Sequence, residues 1–334
     1  MRRFYTLILA VLVEMIVITS IIGCSYEPVN KSGSSEPDDS VTRIVVTTFP
    51  IYDWVVNIIG NDHLSAYDIT VLCDNGQNMC DYQLTSSDIK KISESDLFIY
   101  IGGKSDKNIE SVLSSSDEEI NSLNLMKTLG YENLYKVDSD EMGIEYDEHI
   151  WLSLKKTMRC VSYISAELAE INNNEAVFDY SQNTSAYIAK LAKLDKEFED
   201  SISKIPSDDR VILFGDEFPF IYLAKDYNLT YYSAFDERSK NTEADLETIY
   251  SLADTINELN LSNVFVLKDS DGKLAETIID NTKKKDAYIL TLNPMQSYNK
   301  VIDSDISYLN IMQDNLDTLT KALGGIKKDE KWNF

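Results

Sequence analysis

Short β-branched runs alternate with amphipathic stretches along this chain, and that rhythm restricts the fold more than any other feature, because it is the pattern of parallel strands joined by crossover helices. "RIVVTTF" reads as a strand starting at Arg43. Pro50 opens a helix, and "IYDWVVNIIG" sets Ile51, Trp54, Val55, Ile58 and Ile59 on one helical face before Gly60 stops it. "DITVLCD" is a second strand, the polar "NGQNMCDYQL" a loop, "TSSDIKKI" a capped helix with Asp88 in its first turn, and "DLFIYIGG" a fully buried strand. Two long helical patterns follow, Ser153 to Ile171 and Glu175 to Ile205. The second carries Tyr187, Leu191, Leu194 and Phe198 at helical spacing and ends at Pro206. The rhythm then restarts: "RVILFGD" is a strand, "FPFIYLAKDY" a helix, "LTYYSAF" a strand, "LETIYSLADTINEL" a helix, and "NVFVLK" and "AYILTLN" are strands. The expected architecture is α/β, with an N-terminal lobe at 42–174, a linking helix at 175–205, a C-terminal lobe at 206–323 and a frayed tail at 324–334.

Residues 1–24 read as an export signal: Arg2 and Arg3 precede an apolar run, Phe4 to Ile22, that ends in Ile-Ile-Gly-Cys. Cleavage before Cys24 would leave its thiol to carry lipid, with 25–41 as a flexible tether, so the mature chain would stand on the outer face of the cell membrane. An uncleaved anchor is the alternative and gives the same sidedness. The net charge of −25 argues against nucleic acid and against direct adsorption to anionic lipid, and makes cations the natural clients. Cys160 falls on the apolar side of its helix and is expected to be a buried, inert thiol. Cys73 and Cys80 are close enough in sequence to bridge, which would remove Cys80 from any metal chemistry.

In open α/β sheets ligands sit beyond the carboxyl ends of the strands. Three places there carry suitable side chains: Cys80 in the polar loop, His149 in "YDEHIWLSL", and Asp216 with Glu217 in "FGDEFPF". They lie roughly 70 residues apart, too far for a local zinc-finger clip but compatible with a site closed by two lobes. Of the two histidines, His63 falls in a turn and is expected to be plain surface. His149 reads equally as a helix-capping residue or a metal ligand. A zinc hydrolase using Cys80 and His149 as ligands and Glu217 as general base has no further support, since His-Glu-x-x-His and Gly-x-Ser-x-Gly motifs are both missing. No phosphate-binding Gly-x-x-x-x-Gly-Lys-Ser/Thr loop is present either, so an ATPase would have to be another chain.

"TTFPIYDWVVNIIG", "NMCDYQLTSSDIKKISESDLFIYIGG", "DEHIWLSLKK" and "FGDEFPFIYLAKDYNL" resemble, in order, segments of the substrate-binding lipoproteins of zinc and manganese ABC importers, the ZnuA/TroA-like receptors. The resemblance runs from about Arg43 to Ser297. It implies two Rossmann-like lobes with parallel sheets joined by one long rigid helix, a metal held between them, and delivery of that metal by a monomeric, non-enzymatic receptor to an ABC permease in the membrane. It also implies only modest lobe closure. Residue by residue, the family's first histidine corresponds to Cys80 before Asp81 and Tyr82, the second to His149, and the third to the loop of Asp216 and Glu217, with the choice between those two acids open. The last acidic ligand falls near Asn293, in "LTLNPMQS". A thiolate in place of an imidazole keeps a soft donor, so Cys80, His149 and one carboxylate, with water or Asn293 in fourth place, favour Zn2+ over Mn2+, with Mn2+ the second candidate. The competing expectation is an adhesive or scaffolding lipoprotein that kept the fold while its metal site decayed.

Overall fold

The structure is a computed structural model and describes residues 41–78, 81–115, 119–137, 145–172, 177–235, 244–299 and 306–324. The segment read as a signal with Cys24, the expected tether up to residue 40 and the expected tail from 325 onward lie outside the described residues, as does Cys80. Among the described residues, no helix is long and apolar enough to cross a membrane.

β1 (Thr42–Val46) leads into α1 (Phe49–Ile59), whose Pro50 stands in the first turn and whose apolar face is buried as its spacing predicts. β2 (Tyr67–Val71) and β3 (Asn75–Asn78) precede α2 (Ser86–Ser93). Thr85 and Asp88 cap α2 reciprocally, each side chain accepting from the other's main-chain N–H. β4 (Leu97–Tyr100), α3 (Lys107–Ser115), β5 (Ser122–Asn124) and α4 (Leu125–Leu129) complete the first α/β unit, and β6 (Lys136–Val137) pairs with β7 (Glu145–Tyr146). α5 (Leu154–Ile171) packs along the 27-residue α6 (Val177–Ser203). The second unit runs β8 (Val211–Phe214), α7 (Ile221–Asp226), β9 (Thr230–Ser233), α8 (Leu246–Leu259), β10 (Asn263–Leu267), α9 (Lys273–Asp280), β11 (Tyr288–Leu292), β12 (Ser297–Asn299) and α10 (Tyr308–Leu323).

The two main sheets have the same plan. Four parallel strands in the order β2-β1-β4-β5 form the first, and β11-β10-β8-β9 form the second, so in each the first strand lies beside both the second and the third. That arrangement puts a reversal of winding between β1 and β4 and another between β8 and β10, where crossover loops part and leave a crevice. β4 and β8 are buried along their whole length, as central parallel strands covered on both faces must be. One apolar core runs through both units, from Trp54 and Trp151 through Tyr187, Leu191 and Phe198 of α6 to Phe214 and Tyr308.

Two features of the fold differ from the reading of the sequence. α9 occupies residues between "NVFVLK" and "AYILTLN" where no helix was expected; its Ala275, Ile278 and Ile279 are buried, a stripe too short to be conspicuous in the sequence. More consequential is the polar loop after β2, part of which is the strand β3. It pairs antiparallel with β12, with Ser297 opposite Asn78 and Asn299 opposite Asn75. Tyr298 of that ribbon stacks on Phe49, ring centroids 4.7 Å apart. No alternation of apolar residues announces such a strand, because main-chain pairing rather than side-chain burial holds it.

Candidate metal site

His149 is placed by the chain on either side of it. Asp147 donates its main-chain N–H to Tyr135 (2.9 Å) and accepts from the Tyr222 hydroxyl through its carbonyl (2.7 Å), which ties the segment after β7 to both units. The carboxylate of Asp147 then accepts the His149 main-chain N–H at 2.9 Å and lies 3.4 Å from the imidazole Nδ1. An acid on that side favours the tautomer that keeps the proton on Nδ1 and turns the Nε2 lone pair away from it. The ring packs against Trp151 at 4.9 Å between centroids and is only 3% exposed. Trp151 donates its indole N–H to the carbonyl of Pro294 (2.8 Å), fixing a loop of the second unit against the histidine.

Nε2 of His149 faces the side-chain amide of Gln296, 2.8 Å away. Gln296 is the site residue that reading the sequence missed. Asn293 was the expected position, but its side-chain oxygen accepts from the Met295 main-chain N–H (2.9 Å), and Asn315 brackets its main chain through bonds of 2.8 and 2.9 Å. Met295 turns the chain with φ of 58°, and the residue after that turn reaches the histidine. The Asn-Pro dipeptide signalled a turn, but nothing in the sequence said which residue would emerge from it facing inward.

The two acids after β8 have different employment. Asp216 accepts the main-chain N–H of Glu217 (2.9 Å) and, through its other oxygen, that of Leu267 at the end of β10 (3.3 Å). Glu217 lines the cleft together with His149 and Gln296. Its carboxyl is held above the usual range, first by burial and then by Asp216 and Asp81, with His149 acting in the opposite direction. Asp81, next in sequence to Cys80, is the more weakly acting of the two acids that raise Glu217. Gly215 lets the loop start where it does: a Cβ there would stand 2.6 Å from the Ala275 Cα of α9.

On the first unit's side, Glu148 binds the loop after β4, accepting from the Ser105 main-chain N–H (2.8 Å) and hydroxyl. Gly103 is required for that approach, because a Cβ would meet the Glu148 Oε2 at 2.2 Å. Asp106 is buried beneath, accepts from Gly102 N–H at 2.8 Å, and is pushed up to about 7 by burial. Ser105, Glu148, His149, Glu217 and Gln296 line a cleft of about 460 Å³ whose wall also includes Tyr82, Lys104, Lys107 and Tyr146. Among the described residues, no group of three or more His, Cys, Asp or Glu side chains is close enough to hold a metal ion. His149 and Glu217 are therefore two potential donors, with the Gln296 amide a third of another type.

Burial describes the remaining candidates, while the bridge expected between Cys73 and Cys80 falls on a residue outside the described ones. Cys160 is fully buried and its thiol is pushed up to about 12, as an inert core cysteine should be. Cys73 is a buried thiol that donates to the Gln77 carbonyl at 3.1 Å. His63 lies on the surface, 3.4 Å from Asp179.

Residues 44–322 match the family described as ZnuA, zinc-uptake complex component A, periplasmic. The zinc-binding protein AdcA of Streptococcus pyogenes serotype M6 is 24% identical over 298 residues, covering 83% of this chain and 55% of that protein, so the chain spans about half the length of that relative. The manganese ABC transporter substrate-binding lipoprotein PsaA of Streptococcus mitis is 27% identical over 290 residues, covering 84% of this chain and 89% of that one. Among solved structures, the periplasmic zinc-binding protein TroA of Treponema pallidum superposes with a TM-score of 0.72 at 21% identity, over 85% of this chain and 99% of that one, a likeness of fold. With two parallel four-stranded sheets, a long helix between them and a family match over most of its length, the chain belongs to the ZnuA family of metal-uptake components.

Proposed function

We propose that this protein is an extracytoplasmic receptor that captures a divalent metal ion, zinc before manganese, and delivers it to an ABC permease without changing it chemically. In this reading the lobes are 42–174 and 206–323, joined by the helix of 175–205, and lipid on Cys24 anchors the chain to the membrane. The observation that carries the reading is the meeting of His149 from the first half with Glu217 and Gln296 from the second. They meet in one cleft, at the carboxyl ends of both sheets.

Cys80, His149 and Glu217 are the proposed protein donors. Thiolate, imidazole and carboxylate together suit zinc better than manganese, whose preference is for harder ligands. Asp216 holds the loop through main-chain bonds, which leaves Glu217 to face the ion, and Asn293 holds the turn before Gln296. Asp147 completes the arrangement by orienting the imidazole from behind, as partners of metal-binding histidines commonly do. The family is one of transport components rather than enzymes.

Competitive titration with Zn2+ and Mn2+ under reducing conditions tests the proposal, and tight one-to-one binding is the expected result. The alternative of a scaffold with a decayed site draws on the absence of a three-donor His, Cys, Asp or Glu group among the described residues. Failure to bind any first-row divalent metal would establish it in place of the receptor.

A further inference from the structure

We propose that Tyr222 is a positioning residue for metal capture: from the second unit it fixes where the His149 imidazole stands relative to Glu217, acting through Asp147. This inference rests on the receptor reading. Glu217 and Tyr222 belong to one short stretch, the connection that leads from β8 into the first turn of α7. Tyr222 is fully buried, and its hydroxyl donates to the Asp147 carbonyl at 2.7 Å. The Asp147 carboxylate accepts the His149 main-chain N–H at 2.9 Å and lies 3.4 Å from the imidazole Nδ1. One side chain of the second unit thus holds the residue that aims the histidine of the first.

The stretch between Glu217 and Tyr222 is stiff enough to act as a ruler. Phe214 packs against Phe218 and Phe220, with ring centroids 5.1 and 5.6 Å apart, and Phe218 stacks on Tyr231 of β9 at 4.2 Å. Glu217 stands immediately before Phe218, and Tyr222 two residues after Phe220, so close-packed aromatic rings set the spacing of the two positions.

The Tyr222 ring is held independently of its hydroxyl. Tyr135 lies against it with centroids 5.1 Å apart, and the Lys156 ammonium is 4.6 Å from its centre. Burial first, and then the Asp147 charge, hold the hydroxyl's pKa above its ordinary value, so it remains a donor. Removing that hydroxyl takes away this tie between Asp147 and the second unit, while the Asp147 N–H bond to the Tyr135 carbonyl (2.9 Å) keeps its hold in the first. The imidazole then follows the first unit alone, and its distance from Glu217 is no longer fixed. Zinc takes its donors within a narrow range of bond lengths, so such scatter weakens capture.

The test uses full chains in mild detergent: wild type, Tyr222→Phe, Asp147→Asn, the double variant of these two, His149→Ala and Tyr227→Phe. Tyr227 donates an equivalent hydroxyl bond to Asp195 of α6 (2.7 Å) and is not part of the cleft wall, so it is the control for lost stability alone. Zinc affinity is read by competitive titration with Zn2+. The imidazole is read by 15N NMR of the metal-free chain, where only His63 and His149 contribute and His149→Ala identifies the second.

Tyr222→Phe is expected to fold, to lose about tenfold in zinc affinity and to turn a single Nδ1-protonated His149 signal into an averaged one. Tyr227→Phe lowers the urea midpoint and changes neither readout. With Asp147→Asn already present, loss of the Tyr222 hydroxyl costs less than about threefold. Wild-type affinity and an unchanged His149 signal in Tyr222→Phe, with His149→Ala still impaired, would overturn the role of Tyr222 and leave the receptor intact. A full tenfold loss in the Asp147→Asn background, or an equal loss in Tyr227→Phe, would overturn the route through Asp147. Equal zinc binding by wild type and His149→Ala, or none by wild type, would overturn the receptor site and this role with it. If Tyr222→Phe fails to fold, Phe218→Leu, which loosens the ruler and keeps the hydroxyl, decides: unchanged zinc affinity there refutes the proposal.

Discussion

The linking helix α6 is fastened to both lobes by tyrosine–carboxylate hydrogen bonds, and removing one hydroxyl should loosen it by a predictable amount. On the first side Tyr187 of α6 donates to Asp53 of α1 at 2.8 Å; on the second, Tyr227 donates to Asp195 of α6 at 2.7 Å. Asp53 is only 7% exposed and also accepts from the Asn57 side chain at 3.1 Å. Burial raises its pKa, and the bonds from Tyr187 and the Tyr308 main chain pull it back toward the ordinary carboxylate range. Tyr187→Phe keeps the ring in the core and deletes one donor to a buried carboxylate, a bond worth ~1.5–3 kcal/mol. The expected loss is about 2 kcal/mol, or a Tm lower by roughly 3–6 °C for a chain of this size.

The pH dependence has a definite sign. A carboxyl whose folded pKa lies above its unfolded value contributes stability that is fully present below the unfolded pKa and is lost as pH rises through the folded pKa. Taking away Tyr187's hydroxyl raises the folded pKa of Asp53 further, so the variant suffers more where the carboxylate is ionised. Urea unfolding followed by tryptophan fluorescence at about pH 8 and about pH 4.5 should show the larger deficit at the higher pH. A deficit below about 0.5 kcal/mol at the higher pH, or a larger one at the lower, would refute the reasoning.

Asp106, pushed up to about 7 from 3.8 by burial, should make wild-type stability fall as pH climbs through that interval. Asp106→Asn should flatten the profile, and an unchanged slope in urea midpoints would count against it. Gly215→Ala forces a Cβ against the α9 backbone and should cost ~1–3 kcal/mol in urea unfolding and weaken zinc binding by displacing Glu217; wild-type values for both would contradict the packing account. Asp216→Asn and Glu217→Gln should separate the two acids, the first lowering stability and the second lowering zinc affinity, and the reverse pattern would exchange their roles. His149→Ala should weaken zinc binding well over tenfold in competitive titration while His63→Ala leaves it unchanged, since His63 is paired with Asp179 on the surface.

The strand and helix rhythm made the two α/β units legible because buried parallel strands and amphipathic helices each write a periodic apolar pattern. Trp54, Val55 and Ile58 point inward for the reason their spacing suggested, and the Thr85–Asp88 capping box is a local interaction that the sequence states directly. His149 stood out through its place after two acids and before a tryptophan. What stayed hidden depends on contacts between distant segments. β3 exists because β12 supplies main-chain partners, and Gln296 reaches His149 because Met295 adopts a positive φ that methionine rarely takes. Asp216 and Glu217 were inseparable in sequence, since only the position of Leu267 shows which acid the main chain engages.

The measurement that reaches the central claim most directly is a competitive Zn2+ and Mn2+ titration of the full chain under reducing conditions, with reactive thiols counted before and after. Tight one-to-one zinc binding that shields Cys80 from alkylation is the predicted result. Binding of neither metal, with Cys80 equally reactive throughout, would contradict the account.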